Sequence, residues 1–251
     1  MIFDTHAHYD DKRFACDRDE LIGKVLPENG VSGIVTCGTN MKNCKTAIEL
    51  AEKYDYVYAA VGVYPEELEK GVDYEELRRM AQHKKVVAIG EVGLEYHYDT
   101  VPHDIQKREL EKHIILANEL SMPVIIHDRE AHADTLELLK KHRPNGVIHC
   151  FSGSVEFAKE ILKLGMYIGL GGVVTFKNAR VPVEAAKFVP IDRLVLETDA
   201  PYMSPVPHRG ERCDSSMIRF TAEKIAEIKG MSIENILDVT EQNAKRLFRI
   251  E

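Results

Sequence analysis

The stretch Val86-Val87-Ala88-Ile89-Gly90-Glu91 joins a run of apolar residues to a glycine and a carboxylate. The apolar residues do not alternate with polar ones, so the pattern predicts a strand that is buried on both faces. The run Leu194-Val195-Leu196 shows the same pattern. Strands of this kind occur in parallel sheets that are covered by helices. The stretch therefore indicates an α/β fold in which a polar group ends a buried strand.

Short β-branched apolar runs alternate with longer amphipathic stretches along the whole chain. Predicted strands begin near Ile2, Val31, Tyr56, Val86, Pro123, Gly146, Met166 and Arg193. Predicted helices cover residues 40–54, 104–120, 130–141 and 155–164. Eight such strands in 251 residues predict a closed (β/α)8 barrel, the TIM barrel. An open doubly wound sheet is the alternative, but no G-x-G-x-x-G turn follows the first predicted strand.

No linker and no shift of composition divides the chain, so we expect one domain over residues 1–251. Residues 232–248 are expected to form a final helix that packs across one end of the barrel. In the predicted helix 104–120, an apolar stripe is spaced to face the core. Its members are Ile105, Leu110, Ile114 and Ala117. Five histidines are expected to face solvent or to cap helices, namely His103, His113, His132, His142 and His208.

The composition limits the function classes. A hydrophobic fraction of 44% suits a globular protein, and the formal net charge of −8 gives no overall attraction for a polyanion. That charge counts against high-affinity DNA binding without catalysis. The start of the chain does not resemble a signal or transit peptide, and the apolar runs are too short to span a membrane. An odd number of cysteines, five, without a C-x-x-C pair predicts free thiols in a reducing cytoplasm.

Candidate metal ligands stand at the predicted carboxyl ends of five strands. His6 and His8 are two residues apart on the first strand, so their side chains share one face. The other candidates end later strands, and they are Glu91, His127, His149 and Asp199. The carboxyl ends of barrel strands meet at one mouth, where barrel enzymes build their active sites. The pattern therefore predicts a metal site at this mouth.

Each candidate has an ordinary structural interpretation when it is taken alone. A single histidine at a strand end is usually a hydrogen-bonded residue, and Asp199 before Ala200-Pro201 is typical of a turn. If all six were structural, several buried polar groups would lack partners, at about 1–3 kcal/mol each. Bound metal ions supply those partners. The set as a whole favours a metal site.

Five stretches around these residues form an ordered series of motifs. They are Asp4-Thr5-His6-Ala7-His8, Gly90-Glu91-Val92-Gly93-Leu94, Pro123-Val124-Ile125-Ile126-His127-Asp128-Arg129-Glu130-Ala131, His149-Cys150-Phe151-Ser152-Gly153 and Leu196-Glu197-Thr198-Asp199-Ala200-Pro201-Tyr202. The chain resembles the TatD family of metal-dependent deoxyribonucleases, within the amidohydrolase-like barrels, and the resemblance continues to residues 243–248. It implies that a metal-activated water cleaves DNA phosphodiester bonds, with 3′-5′ exonuclease action on single strands.

The resemblance also implies two divalent metal ions per chain. Glu91 would bridge them, and the remaining ligands would divide into His6, His8 and Asp199 for one ion and His127 and His149 for the other. Imidazole and carboxylate ligands leave the identity of the ions open among Mg, Mn, Zn and Ni. Asp199 would act as the general base and Glu91 as the second catalytic residue.

The predicted substrate contacts come from loops at the same mouth. Arg129 and Arg209 are the best candidates for binding phosphate, because a planar guanidinium offers two-point contact. Ser152 and Tyr64 complete the predicted substrate-binding set. Lys177 is a weaker candidate, and for Arg212 (which also follows Asp199) a solvated surface charge is an equally good interpretation. DNA, expected to be single-stranded, is the predicted partner of a monomer or weak dimer that does not bind membranes.

The chain departs from the family pattern at three places. Tyr64 stands where relatives commonly have histidine in Gly-x-His-Pro-His, and Glu95 stands where aspartate is usual. Cys213 and Ser215 replace the usual Asn and Pro. These changes spare the metal ligands and bear on substrate range and turnover. Cys150 is interpreted as a small buried apolar residue and not as a nucleophile.

Two other functions remain open from the sequence. One is metal-dependent hydrolysis of a small ester, lactone, amide or phosphate ester, since the same barrel mouth serves many chemistries. The other is a non-catalytic metal-binding or scaffolding protein. Inactivity on oligonucleotides would favour the first, and a metal site without an open coordination position would favour the second.

Overall fold

The computed structural model describes residues 1–98 and 100–251. Its strands form one sheet in sequence order, and every neighbouring pair is parallel. The strands are β1 Ile2–Ala7, β2 Val31–Cys37, β3 Val57–Val61, β4 Val86–Glu95, β5 Val124–Arg129, β6 Gly146–Ile148, β7 Tyr167–Leu170 and β8 Leu194–Leu196. The predicted (β/α)8 barrel is confirmed, and each predicted strand start lies within one residue of the observed one.

Helices lie between the strands, as their amphipathic sequences predict. They are α1 Arg18–Glu20, α2 Leu26–Glu28, α3 Met41–Lys53, α4 Tyr74–Ala81, α5 His103–Glu119, α6 His132–His142, α7 Val155–Lys163, α8 Arg180–Phe188, α9 Ile218–Lys229 and α10 Ile233–Phe248. A π-helical turn, Leu21–Val25, joins α1 to α2. The side chain of Asn40 accepts hydrogen bonds from two backbone N–H groups and so sets the start of α3. No helix within the described residues is long and apolar enough to cross a membrane.

The interior of the barrel is filled by an apolar cluster that takes at least one residue from each strand. Its strand members include Phe3, Val35, Ala60, Ala88, Ile125, Val147, Tyr167 and Val195. Helix α10 contributes Ala244, Leu247 and Phe248 to the same cluster. The ring of Phe248 stacks on Phe3 with centroids 6.4 Å apart. The final helix therefore closes one end of the barrel, as the sequence predicts.

The first and last strands are joined by side chains as well as by backbone. Only a single bridge, Ala7 to Ala200, pairs the two ends of the described sheet. The buried carboxylate of Asp4 supplements it by accepting hydrogen bonds from Thr198 N at 3.0 Å, Thr198 Oγ1 at 2.6 Å and Ser215 Oγ at 2.7 Å. Burial outweighs these hydrogen bonds and raises the pKa of Asp4 to about 6. We call this junction the β1–β8 seam.

Helix α5 differs from its prediction in one respect. Leu110, Ile114 and Ala117 are buried as the apolar stripe predicts, and Ile105 packs half-buried against a smaller cluster. His113 is also buried, with 1% exposure, so the expectation that it faces solvent is wrong. Its Nδ1 donates to the Glu109 carbonyl at 2.8 Å, one helical turn earlier. That backbone partner allows a histidine to sit on the inner face of the helix.

Candidate metal centre

The barrel brings all six predicted ligands to one end. His6 lies in β1 and His127 in β5, while His8, His149 and Asp199 follow β1, β6 and β8 within three residues. Glu91 lies inside β4, because that strand continues to Glu95 and does not end at Gly90. A Cβ at Gly93 would stand 1.9 Å from the carbonyl oxygen of His127. Glycine is therefore required where β4 passes closest to β5.

One group of ligands comes from the two sides of the β1–β8 seam. The Nε2 atoms of His6 and His8 are 3.1 Å apart. Glu91 Oε2 lies 3.4 Å from each of these nitrogens. Asp199 Oδ1 lies 3.6 Å from His6 Nε2 and 3.3 Å from His8 Nε2. The Nε2 atoms of His6 and His8 thus each lie within 3.6 Å of one Glu91 oxygen and one Asp199 oxygen.

A second group lies on the other side of Glu91. His127 Nδ1 and His149 Nε2 are 3.1 Å apart. Glu91 Oε1 lies 3.0 Å from the first nitrogen and 2.9 Å from the second. The rings of His6 and His149 stack at 3.9 Å between their centroids, which places the two groups side by side. Each oxygen of Glu91 therefore faces a different pair of imidazoles.

The two carboxylates of this centre are held in their ionised form. Burial works against ionisation of Glu91, but the imidazoles of His149 and His6 outweigh it and hold the pKa well below its usual range. Burial would also raise the pKa of Asp199, but contact with His8 keeps that pKa below its usual value. Burial, with the nearby His149, lowers the pKa of His6 to about 4. Ionised carboxylates and a neutral imidazole are the forms that bind metal.

Contacts behind the ligands fix the orientation of two imidazole rings. His8 Nδ1 donates to the carbonyl oxygen of Cys37 at 2.9 Å, which leaves Nε2 with its lone pair. His127 Nε2 faces Glu95 Oε2 at 3.2 Å and the Tyr64 hydroxyl at 3.3 Å. Burial alone would lower the pKa of His127, but the carboxylates of Glu91 and Glu95 raise it to about 9. Outer contacts of this kind orient metal-binding histidines and increase their basicity.

A buried carboxylate also stands behind His149. Glu197 Oε1 accepts a hydrogen bond from Cys150 N and lies 3.8 Å from His149 Nδ1. His149 Nδ1 and Glu197 Oε2 are buried and have no hydrogen-bond partner within the described residues. Burial raises the pKa of Glu197 to about 8. A small rotation of either side chain would let the carboxyl group accept from His149 Nδ1 and orient its ring.

Two non-glycine residues, the ligand Asp199 and the neighbour of His149, Cys150, adopt left-handed backbone angles. The φ angle is 62° at Asp199 and 44° at Cys150. Aspartate tolerates this region better than cysteine does, and such angles often mark functional sites. Burial raises the pKa of the Cys150 thiol well above its usual range. A thiol of that kind stays protonated. Cys150 is half-buried, so the expectation that it is fully buried is wrong.

The donor set fits divalent metal ions. Three groups have ligand atoms that lie within 4.8 Å of one another, and they are His6, His149 and Asp199; His6, His8 and Glu91; and Glu91, His127 and His149. All of these donors are imidazole nitrogens or carboxylate oxygens. Imidazole nitrogens suit Zn and Ni, and carboxylate oxygens suit Mg and Mn. Every predicted ligand belongs to at least one of the groups.

Three of the predicted substrate residues lie at or beyond strand ends, and the fourth contacts a predicted metal ligand. Arg129 ends β5, and Arg209 lies exposed in the loop after β8 with its guanidinium 3.6 Å from the centre of the Phe176 ring. Ser152 is exposed after β6. The Tyr64 hydroxyl, in contrast, points at His127 and at Glu95 Oε2, the latter at 3.4 Å. Arg212, the least certain candidate, forms a bidentate ion pair with Asp17.

The sequence interpretation missed the roles of Glu95, Glu197 and Cys37 around the ligands. Glu95 was noted only as an unusual residue, and Glu197 stood within a quoted motif without a role. An acid inside an otherwise apolar strand end, as in Leu196-Glu197-Thr198, was an available signal. The contact of Cys37 is made by its carbonyl oxygen and carried no signal in the side chains.

A parallel barrel with four imidazoles and two carboxylates at the carboxyl ends of its strands defines a metal-dependent hydrolase. The family model of TatD-related DNases matches residues 3–249, and the chain belongs to that family.

Relatives and solved structures agree with this assignment. The uncharacterized metal-dependent hydrolase YabD of Bacillus subtilis (strain 168) is 43% identical over 258 residues, with 100% of both chains covered. The 3′-5′ ssDNA/RNA exonuclease TatD of Pantoea ananatis is 34% identical, and the match covers 98% of this chain and 99% of the relative. The crystal structure of YJJV, a TatD homolog from Escherichia coli K12, superposes with a TM-score of 0.93 at 31% identity, covering 100% of this chain and 98% of the other.

Proposed function

We propose that this chain is a divalent-metal-dependent deoxyribonuclease that removes nucleotides from the 3′ end of single-stranded DNA. The observation that carries the proposal is the position of Glu91, whose Oε1 faces His127 and His149 while Oε2 faces His6 and His8. A carboxylate so placed can bridge two ions, and paired ions are a common means of cleaving phosphodiesters. The relative named as a 3′-5′ ssDNA/RNA exonuclease supports the substrate class.

The proposed ligand sets follow the two sides of Glu91. One ion would be held by His6, His8 and Asp199, a second by His127 and His149, and both by Glu91. Bound divalent ions would lower the pKa of a water molecule and neutralise charge on the phosphoryl oxygens.

Asp199 is the proposed general base. Its Oδ1 faces the imidazoles of His6 and His8, so its Oδ2 is left to orient a water molecule and accept a proton from it. The side chain is 18% exposed, which gives substrate and water access to it. Glu91, at 5% side-chain exposure, is too enclosed for that role and acts as the bridge.

Loop residues at the mouth supply the proposed contacts to DNA. Arg129 and Arg209 would bind phosphate oxygens, and the exposed Ser152 would add a hydroxyl group. Tyr64 would affect substrate indirectly, because its hydroxyl already contacts His127 and Glu95. We also propose one domain over residues 1–251 and a cytoplasmic location, which the five free cysteines support.

Metal analysis followed by an assay on end-labelled single-stranded DNA with added Mg or Mn tests the proposal. We expect stepwise shortening from the 3′ end, which a chelator abolishes. A fully loaded protein that leaves the DNA intact but hydrolyses small esters, lactones or phosphate esters would replace this proposal with the small-substrate one.

A further inference from the structure

Two arginine–aromatic pairs lie on loops at the mouth of the barrel. The guanidinium of Arg129 lies over the ring of Tyr98 at 5.2 Å, where β4 and β5 end. The guanidinium of Arg209 lies over the ring of Phe176 at 3.6 Å, where β7 and β8 lead into their loops. The two pairs therefore stand on different sides of the metal centre.

These two arginines differ from others near the mouth in their ion pairing. Arg13 also lies over an aromatic ring, but Asp11 holds it with two hydrogen bonds of 3.0 and 2.9 Å. Neither Arg129 nor Arg209 forms an ion pair with any carboxylate that the structure describes. In a protein with 41 acidic residues and a net charge of −8, two such guanidinium groups remain available for an anion.

A groove continues from the second pair. Its volume is about 570 Å³, and Phe176, Lys177, Arg180 and Lys224 line it. No acidic residue is among the described residues that line this groove, although Arg180 and Lys224 pair with glutamates on their own helices. A second groove, of about 650 Å³, includes two glutamates in its lining. The basic character of this groove therefore depends on Lys177, which forms no ion pair with any described carboxylate, and on the lack of acids among its described lining residues.

Resting on the proposed nuclease function, we propose that the two pairs and the basic groove form the path of a single nucleic-acid strand. Tyr98 and Arg129 hold the base and phosphate of the terminal nucleotide, next to the ligand His127. Phe176 and Arg209 hold a nucleotide further along the strand, and Lys177 contacts the phosphates beyond it. We name these the Tyr98 platform and the Phe176 platform.

The exposure of Tyr98 and the chemistry of the two platforms both suit a single nucleic-acid strand. Tyr98 is 55% exposed, so its ring is open to a stacking base. Every base has a π face, and aromatic rings beside cations bind single strands with little regard to sequence. Paired bases in a duplex are stacked on one another and cannot use the two platforms. The arrangement therefore accounts for a preference for single strands.

The test compares KM and kcat for a thymidine dinucleotide and a long oligothymidylate in the metal-loaded enzyme. Tyr98→Leu is expected to raise KM about fivefold or more for both substrates, since loss of one stacking contact has that effect. Phe176→Leu keeps an apolar side chain in place and should raise KM for the long substrate alone. Lys177→Ala should do the same and make log KM less steep in log salt by about 0.7. All three variants should retain kcat.

Arg193→Ala is the matched control. Arg193 lies over Tyr167 at 5.2 Å, the same distance as in the Tyr98 platform, but at the amino ends of β7 and β8. It should leave KM for both substrates unchanged.

The outcomes separate this inference from the proposed function. Wild-type enzyme that cleaves neither oligonucleotide contradicts the proposed function, and the strand path with it. Wild-type enzyme that cleaves both, with Tyr98→Leu and Phe176→Leu behaving like Arg193→Ala, contradicts the strand path alone. An equal rise in KM for dinucleotide and long strand in Phe176→Leu would overturn the assignment of the groove.

Discussion

Asp199 contacts both histidines of the first ligand group yet keeps one carboxylate oxygen free. Asp199→Asn retains an oxygen that can bind a metal ion but removes the ability to accept a proton. We expect turnover on single-stranded DNA to fall about 10²–10⁴-fold, the usual contribution of a general base, while the metal content stays near that of the wild type. Rates on end-labelled DNA and elemental analysis of the same samples measure the two effects. A variant with normal metal content and a normal rate would refute this role.

Tyr64 and Glu95, two departures from the family pattern, contact each other and the same nitrogen of His127. Tyr64→Phe removes only the hydroxyl group. We expect it to weaken binding of the ion at His127 about tenfold, and Glu95→Gln to weaken it more, because outer contacts hold the ring in place. Calorimetric titration with Mn measures the affinities of the two ions separately.

Tyr96→Phe is the control for that comparison. The Tyr96 hydroxyl donates to Asp134 at 2.7 Å and does not touch a ligand. If Tyr64→Phe and Tyr96→Phe bind Mn equally well, the hydroxyl of Tyr64 does not support His127.

The ligands could be predicted from the sequence because each is a histidine or acid at the end of an apolar run. The residues behind them could not. Tyr64 follows β3 and Glu95 ends β4, and their meeting at His127 depends on side-chain directions on neighbouring strands. Periodicity describes one strand at a time and carries no such information.

At the scale of elements, apolar runs predicted where strands begin better than where they end. The predicted start of β4 is correct, but the apolar run predicts that the strand ends where Glu91 begins, and the strand continues to Glu95. Glutamates such as Glu91 and Glu95 are more typical of loops than of buried strands. Their contacts with imidazoles compensate the cost of burying carboxylates, so the extended backbone can continue through them.

The β1–β8 seam depends on the carboxylate of Asp4. Asp4→Ala leaves the buried N–H groups of His6 and Thr198 without their acceptor and removes one partner each from Thr198 Oγ1 and Ser215 Oγ. We expect a loss of about 3 kcal/mol or more in the free energy of unfolding, at about 1–3 kcal/mol for each unpaired group. Urea unfolding in the presence of a chelator measures it without a contribution from metal binding.

Ser32→Ala offers a comparison at another strand. Its hydroxyl donates to the carbonyl oxygen of Ile2 at 3.1 Å in a half-buried position. The prediction for Asp4 is wrong if the two variants lose similar amounts of stability.

For the whole molecule, His113 links stability to pH. Burial lowers the pKa of this histidine to about 4 in the folded protein, against 6.5 for an unperturbed histidine. Between these values the unfolded chain binds more protons, so stability is highest above pH 6.5 and falls as the pH drops toward 4. The loss at pH 4 is about 3 kcal/mol.

The contribution of His113 can be isolated by substitution. Tyr74, Glu109 and Lys112 surround the ring, and carboxylates such as that of Glu109 also bind protons as the pH falls. His113→Leu should therefore be compared with the wild type in urea unfolding at pH 7 and pH 4.5, with chelator present. We expect the variant to lose less stability between these pH values. Identical losses would show that His113 binds a proton equally well in the folded and the unfolded chain.

The stacking of Phe3 on Phe248 joins residues from the two ends of the sequence inside the barrel. During synthesis the amino end leaves the ribosome first, and Phe3 can stack on Tyr58 but not on Phe248 until α10 has emerged. The nascent chain therefore lacks part of its barrel floor until residues 244–248 have been made. Until then the apolar residues of the floor stay open to water, and the finished barrel depends on the arrival of α10.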